Sequence, residues 1–216
     1  MRRLAIFDLD GTISRHDTFT RFLAGFLLRN PWRLPRMLFA LPAALGFVLG
    51  LVGRGGLKAA LIRAGFGGLS RSRIAAWAER YVPRVIASGV FGQALAAIEA
   101  HRRDGDALVL LSASPDLYVP LLGRQLGFDS TVCTEVTWDG ERLVGRLATP
   151  NRRGEEKTRC LEKLRALHPG LGVIAYANSR SDLDHLRHCD EGVYVNGSPS
   201  LRRSPLAQGL RHVHWV

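Results

Sequence analysis

The stretch Leu4-Ala5-Ile6-Phe7-Asp8-Leu9-Asp10-Gly11-Thr12 decides which fold this chain is expected to adopt. Its apolar start predicts a short buried strand, which ends in two carboxylates. Alternation along an extended chain places Asp8 and Asp10 on the same side of that strand. Because neighbouring carboxylates repel each other, the pair needs a proton or a cation to neutralise it. At the carboxyl end of a strand in an open α/β sheet the expected cation is Mg²⁺; the alternative is a strand that merely ends in an acidic turn.

The composition is that of a globular protein without a disulfide framework. The chain has 216 residues, of which 46% are hydrophobic and 23% charged, enough for one domain or for a core with an inserted module. Its three cysteines are scattered, which favours a reducing compartment. The apolar run before Asp8 is too short for a signal peptide. We therefore expect a cytoplasmic protein.

The positive charge is concentrated in one part of the chain. The net charge is +11, and residues 13–103 carry all of this excess, with 14 Lys and Arg against three acids. No carboxylate occurs between Asp17 and Glu79. Such asymmetry indicates an anionic partner, either a membrane surface or nucleic acid. The arginines alternate with aliphatic residues and form no aromatic stacking platform, so we expect no nucleic-acid binding.

Two kinds of pattern divide the chain. Residues 13–103 show helical spacing interrupted by proline and glycine, whereas strands and helices alternate from residue 104 onward. Strands are predicted at 107–111, 131–136, 143–147, 173–177 and 192–195, the second and third of them flanking a hairpin turn. Helices are predicted at 115–126, 154–167 and 182–188. This alternation predicts a parallel sheet with helices on both faces.

An uncharged stretch, residues 37–53, lies within the basic segment. It spans 17 residues between Arg36 and Arg54, at the lower edge of a membrane-spanning length. Pro42 and several glycines make a continuous spanning helix improbable. We expect a helical hairpin that lies either at a membrane interface or buried inside the helical segment, and the sequence leaves both possibilities open.

Four polar sets occur in one order along the chain, each beyond a predicted strand or at a helix start. They are Asp8-Leu9-Asp10-Gly11-Thr12, Ser112-Ala113-Ser114, Gly154-Glu155-Glu156-Lys157 and Asn178-Ser179-Arg180-Ser181-Asp182. This order resembles the motifs of the haloacid dehalogenase superfamily of phosphotransferases. The resemblance implies an α/β fold with a Rossmann-like parallel-sheet core, residues 1–14 and 104–216. It also implies a helical cap, residues 15–103, inserted after the first strand.

The side chains in these sets suit phosphoryl transfer. A phosphate monoester repels an anionic nucleophile because its own oxygens are negative, so metal and cationic help is needed. Asp8 is the candidate nucleophile, which would form an aspartyl-phosphate. Asp10 is the candidate acid that protonates the leaving oxygen and then activates water. Thr12, Ser112 and Lys157 are the candidate ligands of the phosphoryl oxygens.

The expected cofactor is Mg²⁺. Its predicted ligands are the Asp8 carboxylate, the Asp10 backbone carbonyl and the Asn178 side chain, with Asp182 behind them to fix metal-bound waters or Lys157. The family's fourth motif usually opens with Gly-Asp, whereas this chain has asparagine at position 178. A neutral amide would hold Mg²⁺ less strongly than a carboxylate. A catalytically weak module that binds phosphate or a membrane is therefore an alternative to an active phosphatase.

The cap segment determines which substrate is expected. Its position and helical content resemble subfamily IB, whose best-known type is phosphoserine phosphatase, but Ser112-Ala113-Ser114-Pro115 departs from that type's Ser-Gly-Gly. Together with Asp17-Thr18-Phe19 and the apolar run, it resembles phosphatidylglycerophosphatase C-type members instead. This implies a lipid-borne phosphomonoester, an Asp17 near the substrate entrance, and a protein peripheral to the inner face of the cytoplasmic membrane. A soluble phosphatase of small metabolites is the alternative, and the oligomeric state is left open.

Overall fold

A six-stranded sheet forms the centre of the computed structural model, which describes residues 2–204 and 207–216. The strands are β1 (Arg3–Phe7), β2 (Ala107–Pro115), β3 (Ser130–Thr134), β4 (Val136–Asp139), β5 (Arg142–Leu147), β6 (Gly172–Ala177), β7 (Glu191–Val195) and β8 (Arg211–Val213). The sheet order is β3-β2-β1-β6-β7-β8 and every pairing in it is parallel, while β4 and β5 form a separate antiparallel hairpin. The predicted α/β fold is confirmed.

Helices connect these strands. They are α1 (Thr18–Arg29), α2 (Leu41–Val48), α3 (Arg54–Phe66), α4 (Arg71–Gly89), α5 (Gly92–Arg103), α6 (Val119–Gln125), α7 (Glu155–Leu167), α8 (Leu183–Arg187) and α9 (Pro199–Arg202), with 3₁₀ segments at Pro31–Ala40 and Arg180–Asp182. The first five helices all lie between β1 and β2 in the sequence. A helical insertion after the first strand is therefore present, as the sequence predicts.

Side-chain alternation along the central strands builds two apolar cores, one on each face of the sheet. In β1, Ala5 and Phe7 join the core that includes the inserted helices, whereas Leu4 and Ile6 join the core beneath α7 and α8. All four are almost completely buried. A strand covered on both faces requires an uninterrupted apolar run, which is why β1 could be recognised in the sequence.

The strand order brings the polar sets together. β1 lies between β2 and β6, so the chain passes to one side of β1 first and to its other side later. Asp8 directly follows β1 and Asn178 directly follows β6, and Phe7 at the end of β1 is paired with Tyr176 of β6. In open α/β sheets such a switch point at the carboxyl ends of the strands is where ligands bind.

The inserted helices pack around a cluster of aromatic rings. The Phe22 ring of α1 is fully buried, with ring centroids 4.6 Å from Tyr118 and 5.1 Å from Tyr81. Trp77 lies against the same ring, and its indole donates a hydrogen bond to the Phe22 carbonyl. Trp77 and Tyr81, which are spaced along α4, are therefore core residues.

Helix α5 packs on the sheet, against β2. Its His101 ring contacts Asp106 Oδ2 at 2.6 Å and the Tyr176 hydroxyl at 2.9 Å, which joins it to the turn before β2 and to β6. The hairpin β4–β5 instead packs against α3.

The division into a core of residues 1–14 and 104–216 and a cap of residues 15–103 remains a prediction.

The uncharged stretch, residues 37–53, lies on the outside of α3, and the prediction that it could be buried inside the helical segment is wrong. Its large apolar side chains are mostly exposed, including Phe39 and Val48, each 80% exposed. The preceding 3₁₀ segment is fixed by the buried Arg33, whose guanidinium donates 2.8 Å hydrogen bonds to the carbonyls of Gly65 and Gly67. Among the helices of the described residues, none has the length and apolarity needed to cross a membrane.

In the second half of the chain, two local predictions are wrong and one strand was not predicted. The predicted helix 115–126 does not start at Pro115, which instead ends β2 opposite Thr134. A proline is tolerated there because the register of β2 and β3 shifts just before it. Helix α6 begins at Val119. The predicted strand 131–136 is divided between β3 in the main sheet and β4 in the hairpin. Strand β8 was not predicted because it is only three residues long and its sequence has no apolar pattern. It is recognised only by its backbone pairing with β7.

Candidate active site

Asp8 lies at the open end of the sheet, with its carboxylate held from two directions. Its Oδ1 accepts a 2.5 Å hydrogen bond from Lys157 Nζ, and its Oδ2 accepts one of 3.2 Å from Thr12 Oγ1. Its backbone N–H donates to the Tyr176 carbonyl at 2.9 Å, which continues the pairing between β1 and β6. Burial raises the pKa of Asp8 to about 6, although the Lys157 ammonium lowers it.

Lys157 is a buried cation between two carboxylates. Its Nζ lies 2.5 Å from Asp8 Oδ1 and 3.0 Å from Asp182 Oδ1, and its side chain is 2% exposed. Burial lowers the pKa of Lys157, but Asp182 and Asp8 outweigh this effect and leave it raised. Burial likewise raises the pKa of Asp182, and Lys157 reverses the sign so that it is lowered. The lysine therefore stays charged and neutralises the acidic end of the sheet.

Asp10 is bound to the first turn of α1 and to β2. Its Oδ1 accepts hydrogen bonds from the Thr18 backbone N–H at 2.7 Å and the Thr18 hydroxyl at 2.6 Å. Its Oδ2 accepts a 2.6 Å hydrogen bond from Ser114 Oγ. Burial raises the pKa of Asp10, while the bonds from Ser114 and Thr18 lower it. A carboxyl group with a raised pKa beside the Asp8 carboxylate is suited to hold a proton.

Gly11 and Asn178 approach each other so closely that no side chain fits between them. Gly11 has φ +81°, and a Cβ built on it would lie 2.0 Å from Asn178 Nδ2 and 2.8 Å from Asn178 Cγ. The glycine therefore lets the Asn178 amide lie against the loop that carries Asp8 and Asp10. A side chain larger than hydrogen at position 11 would therefore displace the amide at the end of β6.

The candidate ligands fit a hard cation. The Asp8 carboxylate, the Asp10 carbonyl and the Asn178 amide all offer oxygen and come from adjacent strand ends, which is the donor chemistry that Mg²⁺ prefers. Across the described ranges, no three His, Cys, Asp or Glu side chains cluster as a metal site. The magnesium prediction therefore depends on a mixed set of carboxylate, amide and backbone oxygens, and it remains a prediction.

Ser112 lies just behind the surface of the site. Its side chain is fully buried, and its Oγ accepts a 3.1 Å hydrogen bond from the Ser114 backbone N–H. The next two residues, Ala113 and Ser114, line the pocket. Asp17 lies at the rim, exposed, where its Oδ1 accepts a 2.6 Å hydrogen bond from the Thr20 N–H and so caps α1. The structure thus brings the predicted site residues to one edge of the sheet, with Asp17 outermost.

A cavity of about 280 Å³ opens above these groups. Its inner wall carries the candidate catalytic aspartates and Lys157, and its outer wall is built by α2 and α3. Phe47, Leu57 and Leu61 make the outer wall partly apolar, while Arg54 and Lys58 add positive charge. The cavity can therefore take an ester whose phosphate points to Asp8 and whose remainder faces both apolar and cationic groups.

Residues 5–187 match the family model described as haloacid dehalogenase-like hydrolase. The chain belongs to the haloacid dehalogenase-like hydrolase family. The prediction of an enzyme of the hydrolase class is thereby confirmed. A relative named Protein CicA, from Caulobacter vibrioides, is 32% identical over 209 residues, which span 91% of this chain and 88% of that protein.

Solved structures share the fold of this haloacid dehalogenase-like hydrolase. A Bordetella pertussis protein described as of unknown function has a TM-score of 0.82 at 24% identity, covering 99% of this chain and 98% of its own. A substrate-bound phosphoserine phosphatase has a TM-score of 0.68 at 13% identity, covering 99% and 93%. A phospho-aspartyl intermediate analogue of phosphoserine phosphatase has a TM-score of 0.65 at 15% identity, covering 93% and 90%. These likenesses place the predicted Rossmann-like core with inserted helices among known phosphatase folds.

The family motifs do not reveal every residue that shapes the hydrolase site. Ser114 and Thr18 fix Asp10, and Lys58 and Arg153 line the pocket, yet the sequence analysis assigns none of them a role in the site, although Ser114 and Thr18 lie within stretches that it quotes. Ser114 could have been found, because it lies two residues beyond Ser112 on the same side of a strand. Lys58 could not, because its position in the pocket depends on how α3 packs.

Proposed function

We propose that this hydrolase is a Mg²⁺-dependent phosphomonoester phosphatase that works through an aspartyl-phosphate on Asp8. The supporting observation is the arrangement at the end of β1, where the Asp8 carboxylate is oriented by Lys157 and Thr12 and lies beside a second carboxyl group. Phosphoserine phosphatases among the proteins of similar fold support the same class of reaction.

Asp8 attacks the phosphorus atom and the ester oxygen leaves on the opposite side. The free electron pair comes from the Asp8 carboxylate, whose orientation is set by hydrogen bonds from Lys157 and Thr12. Lys157 offsets the negative charge that gathers on the phosphoryl oxygens in the transition state. Ser112 accepts from the Ser114 N–H and therefore keeps its own hydroxyl proton to donate to a phosphoryl oxygen.

Asp10 moves the protons of both half-reactions. Its raised pKa lets it hold a proton that passes to the leaving oxygen when the ester bond breaks. The resulting carboxylate then takes a proton from the water that attacks the aspartyl-phosphate, which releases phosphate and restores Asp8. Thr18 and Ser114 keep the carboxyl group in place throughout.

Mg²⁺, when bound to the Asp8 carboxylate, the Asp10 carbonyl and the Asn178 amide, would neutralise the charge that keeps an anionic nucleophile away from a phosphate. Gly11, which has no side chain, leaves free the space beside the loop that the Asn178 amide occupies. Asp182 lies behind these groups, where its Oδ1 is 3.0 Å from Lys157 and its Oδ2 accepts a 2.8 Å hydrogen bond from Ser179. Its role is to keep Lys157 charged and oriented.

The substrate that we propose is a lipid-borne phosphomonoester such as phosphatidylglycerophosphate. The supporting surface, named here the apolar face, consists of Leu38, Phe39, Leu41, Leu45, Val48, Leu49 and Leu51, each 58–80% exposed. Exposed apolar groups of this extent are typical of surfaces that contact a protein or a membrane. Phe47, from the same stretch, lines the cavity, so the segment that carries the apolar face also contributes to the catalytic pocket. Arg36 and Arg54 flank the stretch and would attract anionic lipids.

Peripheral binding at the inner face of the cytoplasmic membrane is part of this proposal. We expect the protein to sediment with phosphatidylglycerol vesicles more than with phosphatidylcholine vesicles. Replacing both Phe39 and Val48 with serine should weaken vesicle partitioning by about 10²–10⁴-fold, because each inserted side chain contributes about 1.5–3 kcal/mol. Leu167→Ser is the matched control, since Leu167 is 74% exposed on α7, outside the apolar face. Equal sedimentation of all variants would contradict the membrane part of the proposal.

Phosphate release with Mg²⁺ tests the whole proposal. Phosphatidylglycerophosphate in mixed micelles is compared with phosphoserine and an aryl phosphate, with Asp8→Asn as the inactive control. Lipid turnover that disappears in Asp8→Asn supports both the reaction and the substrate. Turnover of small esters alone favours the second candidate, a soluble phosphatase of small metabolites. Absence of turnover with excess Mg²⁺ would leave the alternative of a binding module. Asn178→Asp would then test whether the family's usual carboxylate at this position gives activity.

A further inference from the structure

Lys58 enters the catalytic cavity from α3. Its Nζ donates 2.5 Å hydrogen bonds to the Ala113 carbonyl and to Asn151 Oδ1, both on the core side of the cavity. The side chain thus spans from the inserted helices to the strand end that carries Ser112 and Ser114. Lys58 lies outside all four of the polar sets that resemble the family's motifs.

The ammonium of Lys58 is half-buried without a counter-ion. Both of its hydrogen-bond acceptors are neutral, and within the described part of the chain it forms no salt bridge. Burial lowers the pKa of Lys58 to about 8, although Asp10 and Asp17 raise it and Arg153 and Arg54 lower it further. Removing a charge from water costs free energy unless an opposite charge compensates. An anion in the cavity would provide that compensation.

Two further cations share the wall of the cavity with Lys58. Arg54 comes from the start of α3 and Arg153 from the loop before α7. Asp17 also lines the cavity, and its carboxylate already accepts a hydrogen bond from the Thr20 N–H of α1. The outer half of the cavity therefore has an excess of positive charge, in addition to Lys157 at the position of the transferred phosphate.

We propose that Lys58, with Arg54 and Arg153, binds a second anionic group carried by the leaving part of the substrate. The ligand chemistry is a phosphate or phosphodiester a few bonds away from the phosphomonoester that meets Asp8. This inference rests on the proposed function, since it names the class of phosphomonoester that the site selects: one with two separate anionic groups. Lipid and water-soluble esters of that class share this chemistry.

A role for Lys58 as a purely structural link between helix and core makes a different prediction. Such a link needs only a hydrogen-bond donor, and its loss would reduce activity on every phosphomonoester by the same factor. A binding site for a second anion changes the preference between substrates and acts mainly on KM. The ratio of two kcat/KM values therefore separates the two roles.

The test compares two soluble probes that differ by one anionic group: propane-1,3-diol bisphosphate and 3-hydroxypropyl phosphate. With Mg²⁺ and the full-length protein, we expect kcat/KM to favour the bisphosphate by about 10-fold or more, beyond the twofold due to its two equivalent phosphates. Lys58→Gln should lose most of this preference through KM, and Lys58→Arg should keep it. Lys163→Gln is the matched control, because Lys163 is an exposed lysine on α7.

Calorimetry with the Asp8→Asn protein gives a readout that does not depend on turnover. This variant should bind the bisphosphate about 10-fold more tightly than the monophosphate, and adding Lys58→Gln should abolish the difference. Equal kcat/KM and equal affinity for the two probes would overturn the inference and leave the phosphatase standing. A preference that survives in Lys58→Gln, or an equal loss on both probes, would overturn the role of Lys58. No turnover together with a binding preference would overturn the phosphatase alone.

Discussion

The contact between Gly11 and Asn178 yields a direct test of the proposed metal site. Alanine at position 11 would place a methyl group 2.0 Å from Asn178 Nδ2, far inside any tolerated contact, on a backbone with φ +81°. The backbone is paired with β6 through the Asp8 N–H and cannot easily move, so the amide must rotate away. Gly11→Ala therefore displaces a candidate Mg²⁺ ligand, the Asn178 amide, while Asn178 itself is unchanged.

The cost has two parts that can be separated. Left-handed backbone costs a non-glycine residue about 1–2 kcal/mol, which should appear as lost stability. Gly105→Ala isolates this part, because Gly105 has φ +75° and nothing within 4 Å of its would-be Cβ. The second part is the displaced amide, which should raise the Mg²⁺ concentration needed for half-maximal activity by about 10–100-fold. Only Gly11→Ala should show it.

The assay is a Mg²⁺ titration of phosphate release together with urea unfolding. Asn178→Ala should raise the Mg²⁺ requirement to a similar extent, and combining it with Gly11→Ala should add little, because both changes remove the same ligand. The reasoning is refuted if Gly11→Ala and Gly105→Ala have the same Mg²⁺ requirement. It is equally refuted if the effects of Gly11→Ala and Asn178→Ala on that requirement simply multiply.

Three further predictions concern buried or half-buried cations. Arg33→Gln should lower the free energy of unfolding in urea by about 2–4 kcal/mol, since it removes two charge-assisted hydrogen bonds to carbonyls; an unchanged value would contradict this. Lys157→Met should lower the free energy of unfolding by about 3–5 kcal/mol at neutral pH because Asp8 and Asp182 lose their cation. The deficit should shrink as the pH falls, because removing Lys157, which lowers the pKa of both carboxylates, raises those pKa values and lets protons neutralise the pair. The bisphosphate preference in kcat/KM should decline as the pH rises through about 8, where Lys58 in the substrate-free enzyme loses its proton. Arginine stays charged, so a Lys58→Arg variant whose preference declines in the same way would contradict the assignment of this decline to Lys58.

The core of the fold and the centre of the site could be predicted because they depend on local patterns. β1 is covered on both faces, so its apolar run is continuous and its polar end is abrupt. The same holds for β2 and β6, and parallel strands place their carboxyl ends at one edge of the sheet. Asp8, Asp10 and Asn178 were therefore expected together before their distances were known.

The outer half of the site could not be predicted because tertiary packing determines it. Lys58 is an ordinary residue of an ordinary helix, and only the packing of α3 against the hairpin β4–β5 and the core carries its ammonium to Ala113. The uncharged stretch, residues 37–53, posed the same difficulty. Hydropathy shows that it lacks charge, but exposure depends on whether another element covers it, and among the described residues none does so for Phe39 or Val48.

The central claim is that Asp8 becomes phosphorylated. Asp10→Asn should slow hydrolysis of the intermediate by about 10²–10⁴-fold. With an aryl phosphate, whose leaving oxygen needs little help from an acid, formation of the intermediate is slowed less, so the intermediate accumulates. Mass spectrometry of this variant after incubation with Mg²⁺ and a phosphomonoester measures the modification directly. The account predicts one added phosphoryl group, located on the peptide that contains Asp8, sensitive to hydroxylamine and absent when Asp8 is also replaced by Asn. Phosphate release by wild type with no such adduct, or with an adduct on another residue, would contradict it.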